Sequence, residues 1–410
     1  MLKFIHAADL HLDSPFQGLQ QLPKTLWAKV HNAPFQATKQ LVHDAITQQV
    51  DFVLLVGDLF DRETQSIQAQ TFLNDELQQL LDAGIQVIVS YGNHDYMTKD
   101  QQLHLPAGVI IFGPEVTTQT ITTADRQRVA ISGFSYADRW IDTDMVPQFP
   151  EHLDADFQIG MLHGAVQQTG DNHYAPFTLS EMAAKHYDYW ALGHIHKPNL
   201  LAQQPPIVYA GTIQGRHKNE PGAHGYQLVT SAEHQLKRQF VAADQIRWQT
   251  LTLMVDEQTT DTSLIRQVQK SLKGLHPQVF ALVELQLNGI EKLSTGLLTR
   301  LTDGTWQARF DQEQQRNYEH THCWVYEVTL KAAQAQIQYA KLDADFWQQA
   351  QTAVFTQENI ELTAGKLMQY PFLADHLQAP KTTAAITARA KNELLAQSRL
   401  EVDQDADHKA

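Results

Sequence analysis

Cysteine is nearly absent from this chain. Cys323 is the one instance in 410 residues, which excludes an intramolecular disulfide and suits a reducing compartment. No apolar run approaches the roughly 20 residues that a membrane-spanning helix needs. The opening stretch, Met1 to Asp9, holds an apolar run too short for a secretory signal. Together these lead us to expect a cytoplasmic protein with no membrane segment. Basic residues are also scarce, with 31 Lys and Arg against 46 Asp and Glu, a net charge of -15. That balance argues against a general nucleic-acid coat, which would be basic. The acidic excess is larger in residues 1–240 than in the remainder. An acidic chain can still act on DNA through a local groove or a partner subunit, and two divalent cations would return about four positive charges to one site. Hydrophobic residues make up 43% and charged residues 19%, ordinary for a globular chain of about two or three domains. No internal repeat is visible.

What is present is a series of short polar motifs in a fixed order: Asp9-Leu-His11, Gly57-Asp58-Leu-Phe-Asp61, Gly92-Asn93-His94-Asp95, His163 before Gly164, and Gly193-His194-Ile-His196. Each follows an apolar, strand-like run. Residues 3–8, 52–56, 85–90, 109–112, 129–134, 157–162, 188–192 and 207–210 read as strands, and 225–230 with 236–241 as a closing hairpin. Helical periodicity covers 35–49 and 65–82. This strand–helix–strand rhythm predicts an α/β domain with helices covering the sheet, ending near residue 243. Beyond it, strands at 247–255 and 279–287 flank a helix over 261–274, with Asp261 or Thr262 as N-cap and Gly274 as the stop. Residues 323–330 look extended. From about 343 onward the chain reads as helical and Gln/Ala-rich, broken at Pro371 and Pro380, with a polar, frayed end from Glu401.

Side chains just beyond the carboxyl ends of sheet strands share one crevice. Taken singly, each motif has a plain reading. Asp9 and His11 are a turn aspartate and a surface histidine, Asp58 is a helix N-cap, Asn93 is a turn residue, and His163 is a satisfied buried histidine. Taken together they supply carboxylate, amide oxygen and imidazole, the donors that two divalent metals need to activate water for attack on a phosphorus ester. On an extended chain, Asp9 and His11 would share a face at i and i+2, and so would His194 and His196. Gly92 lets the backbone approach closely. Arg216-His217-Lys218 is read as either a phosphate contact or a solvated loop, and Arg62 as either a phosphate contact or a surface ion pair. Tyr96 and Phe134 are read as base-stacking rings or, more simply, as core. Asp95 could hold the backbone of its own turn.

The motif set resembles the calcineurin-like metallophosphoesterase superfamily over about residues 1–240. Phe4-Ile-His-Ala-Ala-Asp-Leu-His-Leu-Asp-Ser-Pro-Phe16 with Gly57-Asp-Leu-Phe-Asp61 and Gly92-Asn-His-Asp95 looks closest to the SbcD-like DNA repair exonucleases, YhaO type. The resemblance implies a four-layer αββα sandwich over 1–243, a smaller α+β capping domain over 244–335 that could bind DNA, and a helical C-terminal segment over 336–410. It implies one metal held by Asp9, His11, Asp58 and His196, and a second by Asp58, Asn93, His163 and His194, with Asp58 shared. The metals implied are most often manganese, with iron, zinc or magnesium tolerated. His94 would serve as proton donor to the leaving oxygen, with the Asp61 carboxylate orienting it. Some nuclease relatives carry a histidine where Asp61 stands. The resemblance further implies DNA as substrate and a homodimer. It also implies an SbcC-like coiled-coil ATPase docking on C-terminal helices that carry Leu342, Phe346, Trp347, Leu362, Leu367, Met368 and Tyr370. The alternatives are a phosphomonoesterase or small-nucleotide phosphodiesterase using the same site, and a non-catalytic scaffold.

Overall fold

The computed structural model describes residues 1–16, 19, 21–61, 65–96, 105–167, 173–233, 235–332, 349–350, 352–369, 371–378, 382–384, 386–387 and 390. The chain divides into two compact units, Met1–Gln249 with Pro277–Leu282, and Thr250–His276 with Val283–Ala410. Among the described residues no helix is long and apolar enough to cross a membrane.

The first unit runs in chain order through β1 (Lys3–Ala7), α1 (Lys24–His31), α2 (Ala33–Gln48), β2 (Phe52–Val56), α3 (Ile67–Asp82), β3 (Gln86–Ser90) and β4 (Ile110–Ile111). It continues with β5 (Thr117–Thr122), β6 (Arg128–Gly133), β7 (Phe157–His163), α4 (Leu179–Ala184), β8 (Tyr189–Gly193), β9 (Asn199–Gln203) and β10 (Pro206–Tyr209), then returns through β11 (Gly225–Ala232) and β12 (Gln235–Ala242). One six-stranded sheet has the order β12-β11-β1-β2-β3-β4 and the other β5-β6-β7-β8-β10-β9. β1, β2, β3 and β4 run parallel, as do β6, β7, β8 and β10. Three of the four sheet edges are antiparallel pairs, β11 with β12, β5 with β6 and β9 with β10.

The period-two alternation of strand side chains decides the layers. Phe4, Phe52, Leu54, Val56 and Ile88 point inward and meet Val129, Ile131, Phe157, Ile159, Met161 and Tyr189 of the other sheet. Their neighbours Ile5, Val53, Leu55, Val87 and Val89 point outward and are covered by Leu41, Val42, Leu73, Leu77 and Leu80 of α2 and α3. On the far face, Leu162, Trp190, Leu192 and Tyr209 pack with Phe149, Phe177 and Met182. The result is the four-layer αββα sandwich that the resemblance implied. A fully apolar strand such as β2 is buried on both sides, as parallel sheets require. Ser66 caps α3, its hydroxyl accepting from Ala69 N at 3.0 Å.

Two strands had no legible pattern. β5 is largely exposed and threonine-rich, and β9 is polar at both ends. Phe134 is core, 1% exposed, and Tyr96 packs against the same cluster.

The second unit is organised on a three-stranded sheet of β13 (Ile246–Met254), β14 (Phe280–Asn288) and β15 (Cys323–Lys331); the division between units falls inside the first two of these strands. Between them lie α5 (Asp261–Leu275), α6 (Thr295–Thr302), α7 (Thr305–Gln314) and α8 (Tyr318–Thr321). α5 buries Leu264, Ile265, Val268 and Leu272 along one face. Its caps differ from the sequence expectation. Thr260 is the N-cap, reciprocating with Ser263, and the helix runs through Gly274 to Leu275, where His276 turns left-handed at φ 41. α7 is bonded to β15 by Gln314, which accepts from Val325 N and donates to Val325 O, both at 2.9 Å. α9 (Gln357–Ala364) and α10 (Pro371–Gln378) follow. Pro371 opens a helix rather than breaking one, since the first turn needs no N–H from it. Arg62, Leu342, Phe346, Trp347, Tyr370, Pro380 and the end from Glu401 lie outside the described residues.

Candidate metal centre

The five motifs meet where the two sheets face each other. Asp9 and His11 follow β1, Asp58 follows β2, and Asn93 and His94 follow β3. His163 is the last residue of β7, and His194 and His196 follow β8. Because these five strands are parallel within their sheets, their carboxyl ends open at one rim. The sheets are tied across that rim: His163 Nδ1 lies 3.0 Å from Val56 O, and His194 N donates to both oxygens of Asp9 at 3.1 Å.

The backbone is not extended where the motifs lie, as their spacing had suggested. Asp9 (φ 52), His11 (φ 43), Asp58 (φ 52) and His194 (φ 96) all sit at positive φ. For residues other than glycine such conformations cost on the order of 1–3 kcal/mol each and persist where surrounding structure imposes them. Here the loop after β1 is held by Asp9 N to Gly57 O and His11 N to Asp58 O, both 3.0 Å. Asp95 clamps the facing turns. Its oxygens accept from Gly92 N (2.7 Å), Asp58 N (3.2 Å) and Leu59 N (2.6 Å). So Asp95 holds the end of β2 as well as its own turn. Burial, with the Asp58 charge beside it, pushes the Asp95 carboxyl up to about 7.

Two donor sets emerge. Asp9, His11, Asp58 and His196 bring ligand atoms within 4.8 Å of one another, as do Asp58, His163 and His194. Asn93 joins the second set, its Oδ1 lying 3.1 Å from His163 Nε2 and 3.0 Å from His194 Nδ1. Asp58 is common to both. Its Oδ1 accepts from His94 N at 3.0 Å. Its Oδ2 is buried without a hydrogen-bond partner among the described residues, 3.4 Å from His163 Nε2 and 3.7 Å from His11 Nε2. A buried anionic oxygen with no donor, ringed by imidazole nitrogens, is a costly arrangement for an unliganded protein. It fits a site that two divalent cations complete.

In the metal-free site the electrostatics favour the ligating, neutral form at two imidazoles and the charged form at a third. Burial holds His194 down at about 3 and His11 well below its usual value, so both rings are neutral, the form that ligates. Burial opposes charge on His163 too, but the Asp58 and Asp9 carboxylates outweigh it and lift this ring to about 9. Burial raises Asp9 to about 6. Burial also disfavours the Asp58 carboxylate, yet His163, His11 and His94 hold it well below the ordinary range.

Residues 2–198 match the calcineurin-like phosphoesterase family model. The metallophosphoesterase YhaO of Bacillus subtilis, itself uncharacterised, is 37% identical over 278 residues, covering 67% of this chain and 68% of that protein. The chain belongs to the calcineurin-like metallophosphoesterase family. It is a dinuclear metallophosphoesterase. A DNA double-strand break repair protein Mre11 from Methanopyrus kandleri is 22% identical over 252 residues, and the phosphoesterase spans 54% of that relative's length. A dimetal phosphatase from Danio rerio aligns in structure at 10% identity and a TM-score of 0.38, covering 59% of this chain and 96% of that one.

His94 stands beside the two donor sets of this phosphoesterase, half-buried. Its Nδ1 donates to the main-chain carbonyl of Asp61 at 2.9 Å. The sequence had assigned that bond to the Asp61 carboxylate. The carboxylate instead pairs with Arg216 Nη1, and Ser14 Oγ reaches it at 3.5 Å. Arg216 is therefore not a solvated loop residue; its side chain is 11% exposed.

Glu220 was missed. It lies in an irregular stretch between β10 and β11, where no periodicity or motif marks it. Its Oε1 accepts from His196 Nδ1 at 2.6 Å, and its Oε2 accepts from Arg216 N at 2.7 Å. The first bond fixes the tautomer of His196, leaving the Nε2 lone pair facing His11 Nε2 at 3.1 Å. Glu220→Gln is expected to weaken metal binding about 10- to 100-fold, read by calorimetric titration of Mn²⁺ into metal-free protein. An unchanged dissociation constant would mean that the carboxylate only braces its loop.

Close approach of the sheets also depends on glycine. A Cβ on Gly92 would lie 2.3 Å from Asp58 Oδ1 and 2.7 Å from His163 Nε2, and one on Gly193 would lie 2.0 Å from Val56 O. Gly92→Ala should leave circular dichroism unchanged while lowering phosphoesterase turnover about 100-fold or more, since displacements near 1 Å cost that much.

Proposed function

We propose that this phosphoesterase is a manganese-dependent phosphodiesterase acting on DNA, an exonuclease or endonuclease of the SbcD-like kind. The observation that carries the choice of a diester is the state of Arg216. A monoester arrives with two negative charges and calls for a free cation beside the metals. Arg216 is already committed to Asp61 and lies 3.7 Å from Glu220. A diester carries one charge, and its alkoxide leaving group, like that of an alkyl monoester, needs a proton, which His94 is placed to give. The similarity to an Mre11 protein and the presence of a second unit support DNA over a small nucleotide.

Asp9, His11, Asp58 and His196 would hold one cation, and Asp58, Asn93, His163 and His194 the other. When bound, such cations lower the pKa of water and neutralise charge developing at phosphorus. The mixed oxygen and imidazole donors suit Mn²⁺. With Nδ1–H donating to the Asp61 carbonyl, His94 presents Nε2 to the leaving oxygen, and as the imidazolium it would transfer the Nε2 proton there and be left as the neutral ring. Arg216 keeps the Asp61 carboxylate from reaching into that space. Glu220 keeps the His196 ring turned toward its ligand position.

A coiled-coil ATPase partner and a homodimer in the cytoplasm belong to the same reading. Leu362 and Leu367 are exposed, at 72% and 52%, and would supply part of the docking surface.

The test compares initial rates with Mn²⁺ on linear duplex DNA and on p-nitrophenyl phosphate. Cleavage of DNA at a higher kcat/KM supports the proposal. Hydrolysis of the aryl monoester alone overturns it in favour of a phosphatase.

A further inference from the structure

We infer that a ledge formed by Arg139, Trp140, His173 and Tyr174 is a subsite for the aromatic base of a nucleotide whose phosphate sits at the metal centre. The inference rests on the phosphodiester reading above for the placement of that phosphate. Trp140 is 56% exposed, although its flat apolar faces would normally be covered. The Arg139 guanidinium lies 5.7 Å from the Trp140 ring centroid, and the His173 ring lies 6.1 Å away on a tilted plane.

This ledge is fixed to the site. Ile141 N donates to His173 O at 3.0 Å, and Ala175 N to Ile141 O at 2.7 Å, a parallel bridge between the two segments. His173 is itself held by Asp142, with Nδ1 to Oδ1 at 2.5 Å. Tyr174, the next residue, lays its ring over His194 with centroids 4.4 Å apart. The path from a metal-ligand imidazole to the exposed indole is thus two ring contacts and one peptide step.

The charge of the ledge selects the kind of group. Asp138 and Asp142 stand two residues before and two after Trp140 in the chain, and the Asp142 side chain is 68% exposed. These carboxylates repel a phosphate backbone. They do not repel a neutral ring. A base stacked on Trp140, with Arg139 adding a cation–π contribution, fits that pattern.

The experiment measures binding of deoxyadenosine 5′-monophosphate and of 2-deoxyribose 5-phosphate to the full chain with Mn²⁺, by calorimetry. The mononucleotide should bind about 5- to 150-fold more tightly, the range for one base–aromatic stack. Trp140→Ala should abolish that preference and leave the sugar phosphate unaffected, and Trp140→Phe should keep most of it. Because the indole is largely exposed, both variants should melt with the parent. Equal binding of the two ligands, no measurable binding of the mononucleotide, or a preference that survives in Trp140→Ala overturns the subsite. Should the base preference depend on Trp140 while DNA stays uncut, the subsite stands and the DNA reading falls. If DNA is cut and Trp140→Ala changes nothing, the subsite alone falls.

Discussion

Replacing His94 with alanine should lower turnover on a phosphodiester by about 10²- to 10⁴-fold, the usual contribution of a positioned general acid, and should leave two metals bound. The side chain belongs to neither of the two donor sets that share Asp58. It does fall in a third cluster with His11 and Asp61, so the competing role is that of a ligand. One contact argues against that role: the Asp61 carboxylate, the anionic member of the third cluster, is taken by Arg216. The bond from Nδ1 to the Asp61 carbonyl at 2.9 Å leaves Nε2 available for either role. Metal content of the purified variant decides between them. A loss of one equivalent makes His94 a ligand, and full activity removes it from the chemistry. A second readout follows from the chemistry of the leaving group. With a p-nitrophenyl diester, whose phenolate departs without a proton, the same substitution should cost much less than with DNA.

Asp58→Asn should abolish tight binding at both metal positions. The change keeps shape and volume but removes a unit charge from a point common to both donor sets. At about 4 Å and an effective dielectric near 20, that charge is worth about 4 kcal/mol to each unit of cation charge. A loss of at least about 10³-fold in affinity follows. The wild-type protein should gain about 2.7 kcal/mol of stability when Mn²⁺ is present at 100 times its dissociation constant, seen as a rise in Tm. The variant should show no rise. Its metal-free form should melt below the metal-free parent, because the change removes the carboxylate that pairs with His163 across 3.4 Å. Retention of both metals by Asp58→Asn would mean that the shared position is held by another group.

Much of the catalytic unit was legible because each motif ends an apolar strand. Phe52 to Val56 can only be a buried strand, and Gly57-Asp58 follows it directly. Once five such ends are known to be parallel, convergence at one rim is a geometric necessity. The local backbone was less legible. Spacing at i and i+2 suggested extended chain at Asp9/His11 and His194/His196, whereas three of these four residues are left-handed. Hydrogen bonds from a neighbouring strand end impose that conformation, and a neighbour's carbonyl leaves no mark on residue spacing. Glu220 was invisible for the same reason: its role is set by where an irregular loop returns to His196. The resemblance gave His94 the Asp61 carboxylate as partner; the contact is to the Asp61 main-chain carbonyl instead, and the carboxylate pairs with Arg216. In the second unit, Gly274 looked like a helix stop because glycine often is one, yet the turn comes two residues later at His276.

The ancestry of the donors in the chain has a mechanical meaning. Asp9, His11, Asp58 and Asn93 come from one sheet, and His163, His194 and His196 from a leaf of chain, residues 117–209, that departs after β4 and returns as β11. A cation pair shared between them acts as a rivet through two plates, so its removal should let the inserted leaf breathe against its base. Amide hydrogens near the rim ends of β7 and β8 would then exchange with solvent sooner than those at the opposite ends of the same strands.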